Sequence, residues 1–202
     1  MEFSSAIAFR HSIRYFSARP VPDPVLQAIA EDATRAPSQL NGQDWKIWIS
    51  TGKSLDAIRS EFDERNRAGI PPSTDFANLP MEAVAAEREA LGLEADKRAS
   101  QAVLFHAPAV AFITIPKVHS EWMVLDAGAL EAFLLLAAAS RGVGSIPAFN
   151  LVRYPDIVKR VLGIPDNLIL AIGIGLGYPA DSPLNRLRTG RVPVSEILTL
   201  KH

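Results

Sequence analysis

The 202 residues carry 21 Lys plus Arg against 22 Asp plus Glu, a net charge of −1, with 48 % hydrophobic and 21 % charged residues. That balance predicts one soluble globular domain spanning 1–202, with a full core and no nucleic-acid partner, since the latter needs clustered positive charge. The chain has no cysteine, which removes disulfides, thiolate nucleophiles and zinc–thiolate sites and fits a reducing, cytoplasmic location.

In chain order, Ser4 to Phe9 reads as a short helix. Arg10-His11-Ser12-Ile13-Arg14 and a turn at Pro20, Pro22 and Pro24 follow. Pro24 can open a second helix with Val25, Leu26, Ile29 and Ala33 on one face, ending near Arg35 because Pro37 disfavours helix before it. Trp45 to Ile49 is aromatic and β-branched and predicts a strand; Leu55 to Arg67 predicts a helix. Met81 to Lys97 reads as a charged, alanine-rich helix broken near Gly92. The stretch 62–100 has the weakest core pattern and is expected to form a mobile substrate flap.

Ala109 to Ile115 predicts a buried strand, and Trp122 to Arg141 a helix apolar nearly all round that must be covered on several sides. Its most apolar part, Leu125 to Ala139, is only 15 residues long and includes Asp126 and Glu131. A bilayer span needs about 20 apolar residues, so a buried helix and no membrane contact are expected. No export signal is visible at the N-terminus. Ser145 to Phe149 reads as extended, Pro155 to Leu162 as a helix ended by Gly163, and Leu168 to Leu176 as a central strand. Past Pro179 the amphipathic pattern fades, with Arg186, Arg188 and Arg191 and a last strand expected at Ile197 to Leu200. The pattern predicts an α+β layered domain with one sheet between helices.

The chemistry rests on two short runs. Arg10 and Arg14, four apart, fit a shared helix face and, with Ser12, supply planar donors and a hydroxyl suited to phosphate; they fit an ordinary surface ion cluster equally. The loop Pro37-Ser38-Gln39-Leu40-Asn41-Gly42-Gln43-Asp44-Trp45 is rich in amides that suit a planar ring with donor and acceptor edges, or a polar surface turn. Together the runs suit a flavin mononucleotide. Gly173, Gly175 and Gly177 lie within or at the end of a strand, the wrong order for a dinucleotide-binding turn, and close backbone packing explains them better. Phosphate-loop and nucleophile-elbow motifs are missing, and the four histidines form no ligand pair at helical spacing, so no metal is expected. Asp126 and Glu131 read as caps or interface contacts, or as functional carboxylates with raised pKa values. With no evident side-chain nucleophile, a redox cofactor would carry the chemistry.

Six pieces, in order along the chain, resemble the FMN-dependent nitroreductases, in particular the branch acting on nitrobenzoates and nitrophenols. They are Arg10 to Phe16, Ala36 to Trp45, Phe105-His106-Ala107-Pro108, Gly142 to Ser145, Gly175-Leu176-Gly177-Tyr178-Pro179, and Asn185 to Pro193. The resemblance implies a layered α/β/α fold with a central, mainly antiparallel sheet, and a homodimer with FMN at each of two intersubunit sites. A domain-swapped C-terminal tail, 180–202, would extend over the partner. It implies that Arg10, Ser12 and Arg14, with His11 beside them, hold the phosphate and ribityl chain, joined by Arg191 and its neighbour Arg188. Pro37, Ser38, Gln39 and Asn41 would line the flavin from the other protomer, and Ile146, Pro147, Ala148 and Phe149 would run along the ring through their backbone. The implied activity is ping-pong oxidation of NADH or NADPH with reduction of nitroaromatics or quinones, all chemistry residing on the flavin. The same site is also compatible with dehalogenation, alkene reduction, flavin fragmentation or non-catalytic flavin binding. Asp44 departs from the family's usual proline.

Overall fold

The computed structural model describes residues 2–76 and 99–201. The helix read at Met81 to Lys97 and most of the 62–100 stretch lie outside the described residues. The first helix, α1 (Phe3–Phe9), leads through an extended segment to α2 (Asp23–Ala33), which buries Leu26, Ile29 and Ala33. Strand β1 (Lys46–Thr51) runs directly into α3 (Gly52–Arg67) through Gly52 at φ +50°. Strand β2 (Ala109–Pro116) precedes the 20-residue α4 (Glu121–Ser140), then β3 (Gly144–Ala148), α5 (Pro155–Leu162) and β4 (Leu168–Gly177). Gly163 ends α5 in the left-handed conformation at φ +66°, the helix stop expected of a glycine there.

The sheet order is β1-β2-β4-β3, with every neighbouring pair antiparallel. Both of its faces are covered, and the alternation along β2 says how. Val110 and Phe112 point to one core with Leu55, Ile58 and Phe62 of α3 and Ile157 and Val158 of α5. Ala109, Ala111, Ile113 and Ile115 point to the other, with Leu26 and Ile29 of α2 and Leu130 and Leu134 of α4. A strand buried on both sides reads as an unbroken apolar run, as Ala109 to Ile115 does. The result is the expected α+β arrangement of helices on both sides of an antiparallel sheet.

The glycines of β4 are there for contact. A Cβ on Gly173 would lie 2.4 Å from Leu151 Cβ, and one on Gly177 would lie 2.6 Å from Pro108 Cδ. These positions bring the turn after β3 and the residues before β2 onto the backbone of β4.

Three expectations are corrected. Arg10 and Arg14 do not share a helix face: α1 ends at Phe9, residues 10–14 are extended, and Ser12 pairs with Ser145 beside β3. The tail forms the four-residue helix α6 (Val194–Ile197), and among the described residues no strand follows it; the four-stranded sheet is made without the tail. α4 spans 20 residues and is long and apolar enough to cross a bilayer by length and composition. Its place in the core comes from packing instead, since Ala127, Leu130, Leu134, Ala138 and Ala139 are buried against the sheet and α2. The opposite face exposes Trp122, Leu125 and Phe133.

Candidate functional site

The segment after α1 crosses one end of the sheet. Ile13 N–H donates to Ser145 O at 3.0 Å, Phe16 N–H to Phe105 O at 3.1 Å, and Ser17 N–H to Tyr178 O at 2.9 Å. Extended backbone alternates its side chains, so Ile13 enters the core while Arg10, Ser12 and Arg14 line an open cleft, and a bend at Tyr15 then turns Phe16 inward. The far wall of that cleft is the C-terminal segment: Leu187, Arg188, Thr189 and Arg191. Its volume is about 330 Å³. Four arginines from opposite ends of the chain therefore meet, together with the Ser12 hydroxyl and His11, in a space suited to a multiply charged anion. A planar guanidinium set around a hydroxyl is the donor chemistry a phosphate monoester requires.

The cleft's cations now use protein acceptors. Arg14 Nη1 donates to Ser12 O at 3.2 Å. Arg188 Nη1 donates to Asn185 O at 2.9 Å, and Arg191 Nη1 to Gly190 O at 2.8 Å. His11 Nδ1 bonds Phe9 O at 2.8 Å. These acceptors are neutral oxygens, and a charged phosphate competes with them for the same donors. Glu131 of α4 is the nearby acid of interest: burial pushes its carboxyl pKa up, while the positive charge of Arg10 pulls it down.

The loop of residues 37–43 lines a different cleft, with Pro37 and Ser38 facing Val124, Leu125 and Ala129 of α4. The Asp126 carboxylate accepts the Gln39 N–H at 3.0 Å and so ties the loop to α4. Ser38 Oγ accepts from Gln43 N–H, and Asn41 Oδ1 accepts from Gln43 Nε2 at 2.9 Å. Leu40, Asn41 and Gln43 all have φ above +50°, and Leu40 is 97 % exposed. Such an apolar side chain on a left-handed backbone is costly when left in water. Asp44 lays its carboxylate over Gly42, so a Cβ there would lie 2.8 Å from Oδ2.

On β3, the Ile146 side chain is buried in the core, leaving its backbone for any external contact. Pro147, Ala148 and Phe149 are half-buried on this edge strand, and Phe149 opens the 3₁₀ turn Phe149–Val152 that packs on Gly173.

The sequence matches the Nitroreductase family over residues 7–178. The chain belongs to that family. It is 29 % identical over 210 residues to a 4-nitrobenzoate reductase of Pseudomonas putida, covering 94 % of this chain and 91 % of that one. Among solved structures it is similar to the FMN-dependent nitroreductase NfnB of Mycobacterium smegmatis in complex with NADPH, with a TM-score of 0.89 and 26 % identity over 98 % of this chain and 97 % of that one. It is also similar to the FMN- and NADPH-dependent NfnB of Sphigopyxis sp. strain HMH, with a TM-score of 0.89 and 25 % identity over the full length of both.

In this Nitroreductase-family chain the structure thus brings Arg10, His11, Ser12, Arg14, Arg188 and Arg191 to one cleft and places Pro37 to Asn41 against α4, apart from it. Two residues that support the site have no role in the sequence reading, although Asn185 opens the last of the six resembling pieces. Asn185 is buried beneath the cleft and bonds the backbone of Arg14 and Tyr15. Arg59 of α3 donates to Val103 O and Ala107 O, bracketing a turn in which Leu104, Phe105 and His106 all have φ between +53° and +59°. That turn presents the Phe105 carbonyl to Phe16. His106 stacks on Tyr15 with ring centroids 4.6 Å apart, and burial, helped by the Arg59 charge, holds its pKa below the usual value.

Proposed function

We propose that this chain is an FMN-dependent NAD(P)H oxidoreductase that reduces nitroaromatics, quinones or both, working as a cytoplasmic homodimer of single-domain subunits, 1–202. The observation that carries the reading is the meeting of Arg10, Ser12 and Arg14 with Arg188 and Arg191 around one small cleft. The relatives named above supply the activity and the cofactor.

The arginines hold the phosphate end and Ser12 adds a hydroxyl donor. The backbone of Ile146 to Phe149 lies along the ring, and Pro37, Ser38, Gln39 and Asn41 close over it from the partner subunit. When bound, FMN supplies the redox chemistry, accepting two electrons from NADH or NADPH and passing them to the aromatic acceptor in a second half-reaction. The fixed positive charge of the arginines and the N–H groups of the edge strand favour negative charge on the reduced cofactor. One cleft serving donor and acceptor in turn agrees with the lack of a dinucleotide fingerprint.

The apolar face of α4 and the tail support the dimer. Trp122, Leu125 and Phe133 are joined by Val192, Val194, Ile197 and Leu200 of the tail, all more than one-third exposed. A symmetric pairing covers such a surface. Residues 180–191 pack on their own chain or line its cleft, so the part available to extend over a partner is 192–201.

Absorption spectra before and after anaerobic addition of NADH or NADPH test the reading. Flavin bands that bleach on addition and return with a nitrobenzoate or menadione are expected, with light scattering giving a dimer. Arg14→Ala and Arg191→Ala each lower FMN affinity about ten- to a hundredfold, the loss expected for one charge-assisted hydrogen bond. A colourless protein that takes up no added FMN overturns the proposal.

A further inference from the structure

We infer that Asn185 is the positioning residue that joins the two arms of the phosphate cleft, so that recognition of the phosphate requires the C-terminal arm to be docked. The inference rests on the FMN reading above and names a residue within it that touches no ligand.

Asn185 is 8 % exposed and spends every hydrogen-bonding position it has. Its Oδ1 accepts Arg14 N–H at 2.8 Å and Tyr15 N–H at 3.1 Å. Its Nδ2 donates to Tyr15 O at 2.6 Å and Ala180 O at 2.9 Å. Two N–H groups face one end of the amide and two carbonyls face the other, so its orientation is fixed by its partners. The pattern also excludes other side chains. Aspartate would set a carboxylate against two carbonyls, serine is too short, and glutamine is one methylene too long.

Asn185 itself belongs to the C-terminal arm, where its main-chain O accepts from Arg188 Nη1 three residues on, at 2.9 Å. The turn around it is itself anchored, with Asn185 N–H on Ser182 O at 3.0 Å and Leu184 N–H on Ser182 Oγ. One amide thus ties the C-terminal arm to the backbone from which Arg14 projects, and the same residue's carbonyl meets Arg188 on that arm. The link joins residues 171 apart in sequence, and past Leu187 the C-terminal residues are exposed. Without the Asn185 amide the arm keeps the buried Leu184 and the bond from Ala180 N–H to Tyr15 O, but loses its side-chain grip on the backbone of Arg14.

The test separates this role from simple stabilisation by using riboflavin, which lacks the phosphate. The ratio of riboflavin to FMN dissociation constants in the wild-type protein measures what the cleft contributes. Asn185→Leu is expected to shrink that preference by at least about tenfold while riboflavin affinity changes less than about threefold. Tyr154→Phe, which removes a buried hydroxyl donating to Ile70 O far from the cleft, is expected to lower stability and leave the ratio unchanged. In the wild-type protein, FMN but not riboflavin is expected to slow amide exchange at Arg14 and Tyr15 together with 187–191. Equal losses for both ligands in Asn185→Leu, an intact preference, or protection of one arm alone overturns the inference. A wild-type protein that binds neither ligand instead overturns the FMN reading itself.

Discussion

Replacing Arg59 by Met tests whether a single guanidinium holds the left-handed turn at Leu104 to His106. Three hydrogen bonds are lost: Nε to Val103 O at 3.2 Å, Nη2 to Ala107 O at 2.8 Å, and Nη1 to Asp56 Oδ1 at 2.8 Å. A hydrogen bond from a charged donor contributes about 1.5–3 kcal/mol when buried. The Arg59 side chain is 25 % exposed and Val103 O keeps the His106 N–H, so the Val103 bond counts for about 1 kcal/mol at most. The Asp56 partner is 69 % exposed, and such a pair adds roughly 0–0.5 kcal/mol. The expected loss is about 2–4 kcal/mol, or a fall in Tm of roughly 4–16 °C for a chain of this size. Urea unfolding of wild type, Arg59→Met and Asp56→Asn at one fixed protein concentration measures it. Asp56→Asn is expected to cost less than about 0.5 kcal/mol. If Arg59→Met falls within that margin, or if both variants lose the same amount, the guanidinium does not hold the turn.

Gly173→Ala forces its new methyl to within 2.4 Å of Leu151 Cβ in a fully buried turn, so thermal melting is expected to show a loss of about 1–3 kcal/mol or more; an unchanged melt refutes the close-contact account. His106 is expected to make stability pH-dependent. Its folded pKa lies below the usual 6.5, so the folded state binds fewer protons than the unfolded one. Its contribution is therefore complete above about pH 6.5 and is lost as the pH falls through the lowered folded value. His106→Asn, which tolerates φ +56°, is expected to flatten that part of the stability–pH curve, and an unaltered slope refutes the assignment.

The elements were legible where the hydrophobic period was clean. The helix face of Leu26, Ile29 and Ala33, the buried run of β2 and the Gly163 stop all follow from local physics. The glycines of β4 were legible as packing positions because they sit inside a strand. The meeting of Arg14 with Arg188 was not, since no local rule joins residues so far apart; only the ordered family resemblance suggested it. The left-handed turns at Leu40–Asn41 and Leu104–His106 gave no warning because their residues are mostly not glycine. Tertiary contacts, Asp126 in one case and Arg59 in the other, hold conformations that the local sequence disfavours. The shared helix face open to Arg10 and Arg14 is not realised, because a four-residue spacing fits a helix face and an alternating extended segment equally well.

The cleft of Arg10, Ser12 and Arg14 with Arg188 and Arg191 has a consequence for how the protein folds. Its two walls come from segments far apart in the chain, and the sheet end that supports them is built by β3 and β4 in between. The pairing of β1 with β2 under α3 needs neither wall, whereas the cleft needs Asn185 seated on the backbone of Arg14 and Tyr15. The cofactor site is therefore a late feature of folding, formed only once the long-range contacts of the domain are in place.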